Sequence, residues 1–197
     1  RRAAGRVLSF GVTGNLRHSD MVMYDRQTES WWQQFTGEAI VGELTGTRLD
    51  ILVSWMEPVS AFVARNPGGD VMQQPRGFTR AYGRNPYVGY DGSARPFLYR
   101  GENPPHGIPP LMRVVAVGNR AWPLSRFAGQ AVIEEAGLRI EWRGGMASAL
   151  DAASLGDGRD VGAIRVFDTA TGAAVVHDVA FAFAFHAFRP DGIWMLD

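Results

Sequence analysis

Between Met21 and Leu44 the chain reads MVMYDRQTESWWQQFTGEAIVGEL, a run dense in side chains able to do chemistry. Asp25, Glu38 and Glu43 could supply an acid–base carboxylate pair, if the fold sets two of them at a suitable separation. Trp32 and Gln34 suit binding instead: an indole stacks a planar or sugar ring while the amide supplies hydrogen bonds. A second candidate is RAYGRNPYVGYDG, Arg80 to Gly92, which offers Tyr82, Tyr87 and Tyr90 around Arg84. Arg84 could grip a carboxylate or phosphate bidentately, or simply pair with Asp91. An enzyme would join Arg26, Glu38 and Arg84; a binding module would use the Trp32/Gln34 strand and the Tyr82–Tyr90 loop. Each residue also has a plainer reading, as turn, core or linker anchor.

The elements that must position these groups follow from local pattern. Asp25 and Thr28 recur as Asp168 and Thr171 in MYDRQT and VFDTAT. Asp-x-x-Thr after an aromatic strand residue makes a hairpin turn, because the carboxylate accepts downstream amides and the hydroxyl closes the loop. Residues 31–36 read as a strand, with Trp32, Gln34 and Thr36 on one face and Trp31, Gln33 and Phe35 on the other. Two further pairs recur in the same order: RVLSF with LRIEW, and FVARNPGGDVM with FHAFRPDGIWM. The last pair predicts helices. Ser54 and Glu57 have capping-box spacing, and Pro67 stops the first helix near Asn66. In the second copy Asp178 is the expected N-cap and Pro190 the stop, although VAFAFAFHAF fits a strand period as well. Arg113 to Phe127 reads as a strand, a Gly-Asn turn, then a strand or short helix.

The fold class expected is mainly β with a few short helices, a β-rich α+β chain of two diverged antiparallel repeats, each ending in a short helix. Residues 1–75 form the later part of the first repeat, 76–112 a Gly/Pro/Tyr-rich connection and 113–197 the second repeat, together one compact unit. The first copy lacks a counterpart to Arg113–Phe127, so the repeat predicts a chain beginning midway through a unit. An open edge near Val7 to Phe10 would then await a missing segment or a protein partner.

Composition sets limits. With 24 Gly and 11 Pro the chain is rich in turns. Its 20 basic residues are all arginine, which removes Schiff-base and phosphate-loop lysines. The absence of cysteine removes thiol nucleophiles and zinc–thiolate sites from this segment. Interleaved charges give no nucleic-acid stripe, and no run is long enough to span a membrane. The four histidines lack metal-site spacing, Asp151, Asp157 and Asp160 do not follow an EF-hand pattern, and no Gly-x-Ser-x-Gly elbow occurs. No metal and no cofactor are expected in this segment.

Over FGVTGNLRHSDMVMYDRQTESWWQQFTGEAIVGELTGTRL and YGRNPYVGY the chain resembles domain of unknown function 3179, a family of bacteria and archaea. The residues that carry this are Tyr24 to Thr28, Ser30, Trp32, Gln34, Gly37, Glu38 and Gly42. Tyr82, Gly83, Arg84, Pro86, Tyr87, Gly89 and Tyr90 add to them, and the likeness continues more loosely to FAFHAFRPDG. The resemblance implies an exported bacterial chain, periplasmic or secreted. It also implies an upstream half-unit ending in Cys-x-x-Cys, and no activity. The expected function is a non-enzymatic module for a small ligand, glycan or protein partner. The alternatives are an enzyme or metal/redox protein completed by that half-unit, and a structural subunit.

Overall fold

A chain this rich in Gly and Pro breaks helices early and turns often, and it folds accordingly. The computed structural model describes residues 2–77 and 79–197. Among them the chain is mainly β, thirteen strands in four sheets with two short α-helices. The strands before the first helix are β1 (Arg2–Ala3), β2 (Arg6–Val7), β3 (Phe10–Arg17), β4 (Asp20–Asp25), β5 (Trp31–Gln33) and β6 (Glu38–Val41). Helix α1 (Val59–Arg65) precedes β7 (Arg113–Val117), β8 (Arg120–Pro123), β9 (Val132–Glu135), β10 (Leu138–Arg143) and β11 (Ala163–Asp168). Then come β12 (Asp178–Phe181), α2 (Ala182–Phe188) and β13 (Ile193–Trp194).

The chain divides into two compact units. The first comprises the residues up to Val53, Ala94–Pro123 and Val176–Asp197; the second comprises Ser54–Ser93 and Leu124–Val175. In the first unit the meander β3-β4-β5-β6 is one sheet and β12-β7-β8-β13 another, antiparallel except where β13 pairs parallel with β8. One core gathers Leu8, Trp32, Ala39 and Leu44; another gathers Val114, Ala116, Ala121, Ala182 and Phe185. The second unit holds α1 and the sheet β11-β10-β9, which buries Ile133, Ile140 and Val166.

Several local expectations hold. Asp25 Oδ1 accepts the amides of Gln27 and Thr28 at 3.1 and 2.6 Å, and Asp168 Oδ1 accepts those of Ala170 and Thr171 at 3.1 and 2.8 Å. Both prolines stop their helices, with caps at Asn66 and Arg189. Arg113–Phe127 is strand, turn and strand, followed by a 3-10 turn over Leu124–Phe127.

The helix starts require correction. Ser54 is exposed and caps nothing; α1 starts at Val59 with Pro58 as its N-cap, and the residue before a proline avoids the helical region, so Glu57 stays outside. Asp178 is a strand residue, and the apolar run divides between β12 and α2, using both of its periods in turn. RVLSF is not one strand. Ser9 closes the Asp25 turn, accepting the Arg26 amide at 2.9 Å while its own amide donates to Gln27 Oε1 at 2.8 Å. The strand proper begins at Phe10 and lies at the edge of its sheet, with a register shift between Val12 and Leu16 that irregularises that edge.

Candidate functional site

The strand bearing the adjacent tryptophans departs from simple alternation. A register shift between Trp31 and Trp32 against β6 turns both Trp32 and Gln33 inward, leaving Trp31 and Gln34 exposed. Trp32 is fully buried and its indole N–H donates to Asp25 Oδ2 at 2.9 Å, so it presents no stacking face to a ligand. Burial pushes the Asp25 carboxyl up, but hydrogen bonds from Trp32, Thr28 and Gln27 outweigh it and hold the group below its usual range. Arg26 also serves the scaffold: its guanidinium donates to the Phe10 carbonyl and lies 5.7 Å from the Tyr24 ring.

The Tyr82–Tyr90 segment belongs to the second unit. Tyr82 and Tyr87 are exposed, Tyr90 is half-buried, and Arg84 is exposed with its backbone bridged to Ser154. Asn85 anchors the segment, donating to the Ala152 carbonyl at 3.0 Å and accepting the Tyr87 amide at 2.7 Å. Asp91 pairs with Arg159 at 3.1 Å and accepts the Ser148 hydroxyl, so it is not the partner of Arg84. Asn85 and Asp91 anchor this loop, and Tyr82 and Tyr87 stand exposed on it.

One concave site lies in the first unit and includes Glu38 of the sequence candidates. A cleft of about 440 Å³ is lined by Arg17, Thr36, Glu38, Ile40, Arg48 and Leu49 together with the end of α2, including Phe188 and Arg189. Three separate elements bring the cations here: Arg17 ends β3, Arg48 follows β6, and Arg189 caps α2. Phe188 ties the helix end to the meander. Its ring stacks on Phe35 at 4.8 Å, meets the edge of His18 at 5.2 Å and lies 5.6 Å from the Arg17 guanidinium carbon.

The electrostatics of this cleft are unbalanced. Glu38 pairs with Arg48 at 2.8 Å, an exposed contact that water screens. Among the described residues Arg17 has no carboxylate partner, and the Arg189 Nε is buried without a hydrogen-bond acceptor. Three arginines and one carboxylate, Glu38, thus line the cleft, and Arg189 also acts on the Asp178 carboxyl outside that lining. Burial raises the carboxyls of Asp20 and Asp178, the latter against the pull of Arg189 and His177, yet neither group lines the cleft. Among the described residues no cluster of His, Asp or Glu is arranged to hold a metal ion, and no helix is long and apolar enough to cross a membrane.

Arg17, Arg48 and Arg189 carried no distinguishing signal in the sequence. In a chain whose only basic residue is arginine, residue type gives no contrast, and their separation in the chain hides their convergence.

The model of the family described as "Protein of unknown function (DUF3179)" matches residues 1–192. No curated protein and no solved structure matches the chain.

The chain thus belongs to the DUF3179 family.

Proposed function

We propose that this DUF3179 chain is a non-enzymatic binding module whose ligand is a small dianion with a planar or apolar body, seated in the Arg17/Arg48/Arg189 cleft. The observation that carries this reading is the excess of guanidinium groups there, including a buried Nε donor that lacks an acceptor. Leaving a buried donor unmade costs about 1–3 kcal/mol, more when it is charged. A ligand carrying two negative charges offsets that cost and matches the forked geometry of guanidinium groups. Phe188, Ile40 and Leu49 supply the apolar wall for the rest of the ligand.

Phenyl phosphate is a suitable probe, since it joins a dianion to a ring. Titration calorimetry on the full chain should give saturable binding, with R17Q and R189Q each weakening it by about tenfold, the effect of losing one charge-assisted contact. Binding that ignores both substitutions sinks the assignment.

Two broader readings accompany this one. On family resemblance we place the chain outside the cytoplasm; fractionation of the native host that finds it only in the cytoplasm refutes that. We also read the chain as two diverged repeats. The paired Asp-x-x-Thr turns support this, as do the paired helix ends, where a Cβ on Gly69 or Gly192 would lie 2.8 or 2.6 Å from the ring of Phe62 or Phe185. If the turns are homologous, the loop exchange R26T/Q27A keeps the native fold; a chain unable to fold counts against common descent.

A further inference from the structure

Beside the β3–β4 hairpin lies a second pocket of about 440 Å³, distinct in its lining from the three-arginine cleft. Leu16, His18, Ser19, Leu98, Tyr99, Arg100 and Gly101 form its walls. All these residues belong to the first compact unit.

Its backbone is held in conformations that cost energy. His18 and Ser19 are the two loop residues between β3 and β4, with φ of 53° and 64°. A hairpin turn with positive φ at both positions normally takes Asn-Gly. Across the pocket Leu98 also has a positive φ, 56°. Seven non-glycine residues among those described have positive φ, and three of them line this one pocket. Residues held in such conformations cluster at ligand clamps, where the surrounding structure over-determines them.

The holding contacts are specific. The Ser19 hydroxyl donates to the Phe97 carbonyl at 2.5 Å, hooking the hairpin to the opposing loop. Tyr99 packs on Phe183 at 4.8 Å and donates to the Glu102 carbonyl at 3.0 Å. Gly101 lies directly under the Tyr99 hydroxyl, and a Cβ there would push that ring end aside.

The lining chemistry is that of an amphiphile site with one charge. Arg100 is the only formally charged side chain in the lining, and it has no ion pair among the described residues. Leu16 and Leu98 stand 51% and 61% exposed, an apolar surface still open to water. Burial and the neighbouring Arg17 lower the His18 pKa, which disfavours a second cation in the lining beside Arg100. We propose that this pocket binds a medium-chain monocarboxylate, its head on Arg100 and its aliphatic body between Leu16 and Leu98. The pocket volume is ample for such a chain, at the lower end of small-molecule sites.

Octanoate and octan-1-ol separate charge from chain. Calorimetric titration of the full chain should show saturable octanoate binding, weakened at least about fivefold in R100Q, the loss of one charge-assisted contact. Octan-1-ol should bind at least about fivefold more weakly for the same reason. R139Q, on the second unit, should leave octanoate binding unchanged, and phenyl phosphate should not displace it. Absence of saturable octanoate binding overturns the proposal, as does equal affinity for the alcohol or equal binding in R100Q. Displacement by phenyl phosphate would merge the two pockets into one and overturn a separate site.

Discussion

At the scale of single residues, the two Asp-x-x-Thr turns share a pattern and differ in what they carry. Asp25 is fully buried and accepts four donors from Gln27, Thr28 and Trp32, whereas Asp168 accepts only from residues of its own turn. D25N should therefore cost about 2–4 kcal/mol at pH 7 in urea unfolding, the range for weakening a buried, charged hydrogen-bond hub. D168N should cost visibly less. Because folding lowers the Asp25 pKa, its contribution is complete above the unfolded value of about 3.9 and is lost as pH falls through the folded value. The gap between wild type and D25N should be flat from pH 7 to about pH 5 and narrow below the unfolded pKa. The turn was legible in the sequence because the Asp25 carboxylate takes all of its hydrogen bonds except that of Trp32 from the two residues Gln27 and Thr28 of its own turn. The burial of Trp32 was not, because period-two reading assumes an unbroken register and β5 is bulged against β6.

At the scale of elements, Glu57 is the instructive case. Its carboxylate is 7% exposed and bridges Arg65 of α1 to Arg165 of β11, while both guanidinium groups lie within 5 Å of the Trp55 ring, at 4.9 and 4.8 Å. A capping-box residue would tolerate Glu→Gln, since either side chain can reach back to the N-cap amide. As an ion-pair hub it should not: E57Q and E57A should each cost about 2 kcal/mol, below the figure for a fully buried pair because the arginines remain partly wet. S54A should be neutral. A tolerated E57Q would restore the capping reading. The helix stops were legible because proline acts on its immediate neighbour, and the same rule applied at Pro58 places the helix start. The division of Asp178–Phe188 between strand and helix was not legible, since both periods fit and only pairing with β7 decides for the first part.

At the scale of the whole molecule, the β-rich class was visible in the Gly and Pro content, while the cleft was not visible at all. Its cations come from β3, the segment after β6 and the end of α2, and the packing of Phe188 on Phe35 and His18 ties the helix end to the meander. F188A should thus cost about 2 kcal/mol for a half-buried ring and weaken phenyl phosphate binding in parallel. The measurement that tests the central claim most directly is calorimetric titration of phenyl phosphate into the full chain and into R17Q/R189Q. One saturable site is expected in the native chain and a loss of at least about thirtyfold in the double variant, since two contacts to one ligand act together. No binding to the native chain, or the same affinity in both proteins, would contradict it.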